Sequence, residues 1–164
     1  SELHPDRADY RDALVDATLV SPADFTLSVH NALAGLLSIA RSNKNGHTSI
    51  AAGEESFGFG MMEALCCLAE RPEEPVVLVY FDEPLPAPFD VFPSNVDGPI
   101  ALALALTADT GQKFSLDTRP NHGFAPSENA GALSFLHFIL GKGEKIESIG
   151  EQMVWRWRRG HASD

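Results

Sequence analysis

Thr48-Ser49-Ile50-Ala51-Ala52-Gly53-Glu54-Glu55-Ser56-Phe57-Gly58-Phe59-Gly60-Met61-Met62 is the stretch that decides how this chain folds. Thr48 to Ala52 predicts a short apolar strand closed by Gly53. From about Glu55 to Glu70 the residues Met61, Met62, Leu65 and Leu68 recur at helical spacing, and Arg71-Pro72 ends the run. Gly58 and Gly60 each cost a helix about 1 kcal/mol relative to Ala, so their presence predicts close packing against another backbone. A strand that feeds a helix through a tight turn presents side chains at the helix N-terminus, where the dipole stabilises negative charge. Enzymes place a nucleophilic cysteine or an oxyanion site there. Here the place is held by carboxylates, which the dipole keeps ionised and which make poor acyl-transfer nucleophiles. From the residues alone, Glu54 and Glu55 read as complements of the first helical turn.

Upstream, residues 5–19 predict a first helix, with Pro5 at an early position and Leu14, Val15 and Leu19 as a partial apolar stripe. Ser21-Pro22-Ala23-Asp24 breaks it. Asn31 to Arg41 is crowded with small and apolar residues and predicts a helix buried on most sides. Ser42-Asn43-Lys44-Asn45-Gly46 is a turn by composition.

Downstream, Val76 to Phe81 is a continuous apolar run, as expected of a strand covered on both faces. The proline-rich stretch Glu83 to Pro93 is an extended connection. Ile100 to Thr107 alternates Leu and Ala between turn signals and predicts a strand, with which Phe114 to Leu116 is expected to pair. Ser127 to Leu140 predicts a helix capped by Ser127, with Glu128 behind it, and ended at Gly141. Met153 to Arg158 alternates bulky and charged residues and predicts an amphipathic, partly exposed strand. The order α-α-β-α-β-β-β-α-β supports a layered α/β fold.

At 164 residues the chain has the length of one domain, and 44% apolar residues supply a core. A formal charge of −11 argues against nucleic acid or an anionic membrane as partner. The adjacent Cys66 and Cys67 cannot build a disulfide framework, which points to a reducing compartment. No apolar run approaches the roughly 20 residues that span a bilayer, so no membrane span is expected. There is no basic and apolar leader at the start, so no secretory signal is expected; the chain opens on Ser1, as a processed, tagged or trimmed product does. The expected location is cytoplasmic.

Several chemistries have no foothold. There is no G-x-x-x-x-G-K-[ST] loop, no G-x-S-x-G elbow, and Gly58-Phe59-Gly60 lacks the rest of a dinucleotide fingerprint. The six histidines (His4, His30, His47, His122, His137 and His161) show no paired spacing, so neither a metal nor a cofactor is expected.

The segment Ser21-Pro22-Ala23-Asp24-Phe25-Thr26-Leu27-Ser28-Val29-His30-Asn31-Ala32-Leu33-Ala34-Gly35 resembles the β-ketoacyl synthase segment that ends in Asn-x-x-Ala-Gly. In that family a helix, a glycine-containing turn and the strand carrying the active cysteine follow; here Gly46, Thr48–Ala52 and Gly53-Glu54-Glu55-Ser56-Phe57 follow. Glu54 stands at the cysteine position, or Gly53 if the register slips by one, and Ala64 falls where the family's helix carries a small residue. Val76–Phe81 with Asp82-Glu83-Pro84-Leu85-Pro86 is similar to short ketosynthase-like proteins called chain length factors, which accompany a true ketosynthase, for example in aryl polyene pigment clusters. The likeness extends more weakly through Ser134–Phe138 and Trp155-Arg156-Trp157.

The resemblance implies an α/β, thiolase-like fold, the N-terminal half of a β-ketoacyl synthase, over residues 1–164. It implies a catalytically silent subunit that forms a heterodimer with an active β-ketoacyl synthase in fatty acid or polyketide biosynthesis, with a homodimer as its state in isolation. The partner would supply the cysteine and both histidines, and would carry the contact with acyl carrier protein. Two departures accompany it. The second half of the thiolase fold, which carries the two histidines, has no room here, and only 53 residues precede Glu54, so the chain reads as a fragment of its own protein. The alternatives are a malonyl-group decarboxylase using Glu54, or a stand-alone acyl-binding module.

Individual residues carry two readings each. Asn31 caps its helix or holds the loop beside the active-site strand, and His30 beside it reads as a core or interface histidine. Phe57, Phe59 and Met61 bound an acyl pocket or pack an ordinary core, and Glu55 belongs to the same pocket or interface set. Cys66 and Cys67 read as buried small hydrophobes. Trp155 and Trp157 face one way, either as a partner surface beside Arg156, Arg158 and Arg159 or docked on the core.

Overall fold

A computed structural model describes residues 29, 31–84, 96–127 and 131–160. The expected helix over 5–19, most of the Pro-rich connection, His30 and Glu128 lie outside the described residues. The chain divides into two units, Ser1–Ser49 and Ile50–Asp164.

In the first unit a helix, α1, runs over Ala32–Ala40, inside the predicted span. Asn31 is its N-cap position, but its side chain makes no capping hydrogen bond. The expectation of burial is corrected: none of its residues is buried, and Leu33, Leu37 and Ile39 are each more than half exposed. Apolar density states what a helix is able to bury; it does not say that this chain covers it.

The second unit is organised by α2, Ser56–Glu70. Phe57, Met61, Ala64 and Leu68 are buried at the i, i+4, i+7, i+11 spacing of one helical face. The helix ends at Arg71, ahead of Pro72, with the Arg71 N–H on the Cys67 carbonyl. The two glycines fit it between two strands. A Cβ on Gly58 would stand 2.5 Å from Cε2 of Trp155, and one on Gly60 would stand 3.3 Å from Cδ1 of Leu78. The close approach is therefore to side chains, an indole and a leucine, and not to a second backbone as predicted.

No strand forms over Thr48–Ala52; an isolated bridge between Ala52 and Glu54 is all that remains of it. The Ser56 hydroxyl accepts the Ala52 N–H at 2.9 Å and donates to the Gly53 carbonyl at 2.7 Å, so local bonds take the backbone groups a strand would have used.

β1 (Val76–Asp82) and β2 (Ile100–Leu106) pair antiparallel, from Val76 opposite Leu106 to Asp82 opposite Ile100. Val76, Leu78 and Tyr80 pack on the core, whereas Val77, Val79 and Phe81 are more than half exposed. The expectation of cover on both faces is thus corrected: the run is apolar throughout, but this antiparallel ribbon packs one face only.

The other sheet has the order β3-β5-β4, from β3 (Phe114–Pro120), β4 (Lys145–Ile149) and β5 (Met153–Arg159), both pairings antiparallel. β3 pairs with β5 and not with β2, against expectation. β4 is a strand that the sequence reading missed, joined to β5 by the Gly150–Gln152 turn. Between two neighbours, β5 is more deeply buried than predicted: Val154, Trp155 and Trp157 are all within 2% of full burial. The tryptophan pair belongs to the core.

A last helix, α3 (Gly131–Leu140), buries Ala132, Ser134, Phe135 and Phe138, and the Gly141 N–H closes it on the His137 carbonyl. The cap predicted at Ser127 falls next to residues 128–130, which lie outside the described residues. The Ser127 hydroxyl accepts the Ile149 N–H at 2.9 Å and its N–H donates to the Ile149 carbonyl, so it extends the edge of β4. Phe57 is the hub of the core, with ring centroids 5.6 Å from Tyr80 on β1, 5.5 Å from Phe135 on α3 and 6.3 Å from Trp157 on β5. Such pairs add about 1 kcal/mol each beyond their buried area.

Candidate functional site

The N-terminus of α2 is built from a tight turn. Gly53 has φ +57, a left-handed conformation that glycine adopts without a Cβ penalty, and the Glu55 N–H returns to the Ala52 carbonyl at 3.2 Å. This turn sends the two carboxylates to different places. Glu54 stays half-buried at the surface of the turn, and Glu55 is buried, with 6% exposure.

Glu55 Oε1 accepts the backbone N–H of Gln152 at 2.6 Å and that of Met153 at 3.0 Å. The carboxylate thereby holds the β4–β5 turn. Asn121 holds the same turn from β3: its amide donates to the Gly150 carbonyl at 2.8 Å, and its N–H donates to the Gln152 carbonyl at 2.7 Å. Gly150 is required by this contact, since a Cβ there would overlap the Glu55 carboxylate. Behind it lies a cavity of about 20 Å³, lined by Glu55, Gly58, Ser148, Trp155 and Trp157. Glu55 Oε2 and both indole nitrogens are buried without a hydrogen-bond partner among the described residues. The space suits one water molecule and nothing larger.

The other side of the turn opens on a groove of about 930 Å³. Its apolar surface comes from Ile50, Phe59 and Met62, and its rim from Glu54, Glu63 and Glu151. Phe59 rests edge-on against Trp155, centroids 5.0 Å apart. Phe59, Met62, Glu63 and Cys66 lie about 180° around α2 from the buried face, given 3.6 residues per turn. Cys66 is exposed in this groove, which corrects its reading as a buried hydrophobe, and Cys67 is half-buried beside Glu63.

Of the predicted site residues, the structure gathers Gly53, Glu54, Glu55 and Phe59 at the groove. Phe57 and Met61 sit on the opposite face of α2, in the core. Asn31 is exposed in the first unit. Met62, Glu63, Cys66, Glu151 and Gln152 were missed. The first three were accessible as the reverse face of the helix periodicity; the last two come from 90 residues downstream, where no local pattern announces them. Among the described residues no cluster of three or more His, Cys, Asp or Glu side chains is arranged to hold a metal ion. Among the described residues no helix is long and apolar enough to cross a membrane.

The model for the β-ketoacyl synthase N-terminal domain matches residues 10–158, and the chain belongs to that family, with its thiolase-like α/β fold. Among solved structures it is similar to a chain of the ketosynthase ApeO in complex with its chain length factor ApeC from Xenorhabdus doucetiae, with a TM-score of 0.75 and 27% identity. That match covers 93% of this chain and 63% of the other, so the chain spans less than two thirds of the neighbour's length. No curated protein sequence matches it.

Proposed function

We propose that this chain is a catalytically silent ketosynthase-like subunit, a chain length factor that pairs with an active β-ketoacyl synthase in the cytoplasm. The observation that carries the reading is the identity of the residues at the N-terminus of α2. Gly53, Glu54, Glu55 and Ser56 occupy the turn where the family places its cysteine, and both cysteines of the chain lie ten or more residues further along the helix. A carboxylate there does not form a thioester, so the acyl group is carried by the partner's cysteine. The similarity to a ketosynthase–chain length factor complex supports the pairing, and the aryl polyene type of pathway belongs to the same reading through the resemblance of Val76–Pro86 to chain length factors.

Glu54 favours one second reading. It lines the groove and stands at a helix N-terminus, where it could assist decarboxylation of a malonyl group. The two are separated by measuring CO2 release from malonyl-acyl carrier protein with the chain alone, with the synthase, and with Glu54→Ala in the complex. The silent subunit gives no CO2 alone and full release with Glu54→Ala in the complex. Loss of release in the variant, with assembly intact, assigns the decarboxylase.

A further inference from the structure

We propose that the groove beside Glu54 is a docking site for a basic, amphipathic segment of the partner protein. That segment places an apolar side chain on Phe59 and Met62, and a Lys or Arg among the carboxylates of Glu54, Glu63 and Glu151. The inference deepens the proposed function and rests on it, since the partner is taken to be the synthase.

Charge complementarity selects the occupant. Among the described residues no Lys or Arg lines the groove, whereas Glu54, Glu55, Glu63 and Glu151 all do. Glu55 is already engaged by two backbone N–H groups, which leaves three acidic side chains facing an apolar surface. An anionic occupant, such as a fatty acid carboxylate, a coenzyme A phosphate or an acidic carrier protein, meets like charge in this groove and in a chain whose formal charge is −11. A cationic one is drawn to both. Shape agrees with a protein segment: small-molecule sites enclose most of their ligand, and this is an open groove, bounded on one side by the Gly53 turn and on the other by the β4–β5 turn. Glu55 and Asn121 hold that second turn in place, so the wall bearing Glu151 is fixed before any partner arrives.

Cys66 supplies the reporter, being exposed within the groove. The full chain carrying Cys67→Ala is alkylated with iodoacetamide, alone and with the β-ketoacyl synthase of its gene neighbourhood, and Cys66 labelling is followed by mass spectrometry. In parallel, affinity for the synthase is measured against salt for the unaltered chain and for the Glu63→Lys/Glu151→Lys variant, whose folding is checked by thermal melting. The proposal expects labelling of Cys66 to slow at least about tenfold in the complex. It also expects the double reversal to weaken binding about tenfold and to flatten the salt dependence. A complex that forms while Cys66 reacts at the free rate, with the reversal without effect, overturns the groove and leaves the pairing standing. Failure of any complex to form overturns both.

Discussion

The carboxylate of Glu55 holds the backbone N–H of Gln152 at 2.6 Å, across 97 positions of sequence. It joins the start of α2 to the turn of the β4–β5 hairpin, and so sets two walls of the groove with one side chain. Glu55→Ala removes the acceptor from two part-buried N–H groups and is expected to cost about 2 kcal/mol of unfolding free energy. Glu55→Gln keeps one carbonyl oxygen for them and should cost clearly less. Urea denaturation of both variants tests this; equal losses would mean that packing and not hydrogen bonding fixes the turn.

Gly58 and Gly60 separate two effects that their common identity hides. Gly58→Ala drives a methyl into the indole of Trp155 and is expected to destabilise by about 2 kcal/mol, although Ala is the better helix former. Gly60→Ala meets only the flexible end of Leu78, so it is expected to be neutral or stabilising by up to about 1 kcal/mol. Thermal melts should show Gly58→Ala unfolding below the unaltered chain and Gly60→Ala unfolding at the same temperature or above it.

Helix α2 shows how far the sequence could be read. Its span and its end at Arg71 follow from local periodicity and Pro72, whereas of Met61, Met62, Leu65 and Leu68 only Met61 and Leu68 lie on the buried face. The family follows from the Ser21–Gly35 segment together with the turn that precedes the helix. What escaped reading depends on distant partners. The burial of Trp155 follows from β5 lying between β3 and β4, and the exposure of Val77 and Phe81 from an antiparallel ribbon with one packed face. Neither pairing is encoded by spacing along the chain. Glu55 is the sharper case, because a carboxylate beside a helix N-terminus reads as a surface complement until its hydrogen bonds to residues 152 and 153 are seen.

Tyr80 donates to Asp82 Oδ2 at 3.0 Å. Burial, with the Asp82 charge and this hydrogen bond added, pushes its phenol well above the ordinary tyrosine range. A folded-state pKa raised above the unfolded value of about 10 contributes stability in full below that pH, and loses it as pH rises through the folded value. The stability advantage of the unaltered chain over Tyr80→Phe should therefore shrink above about pH 10. Urea titrations at pH 8 and pH 11 measure it, and a constant difference would contradict the assignment.

The central claim is the pairing with an active synthase. Co-expression with the β-ketoacyl synthase of the same gene neighbourhood, followed by size-exclusion chromatography and an elongation assay, tests it most directly. The account predicts a stable 1:1 complex whose elongation activity is absent from either subunit alone. A chain that elutes by itself, while the synthase elongates without it, would contradict the account.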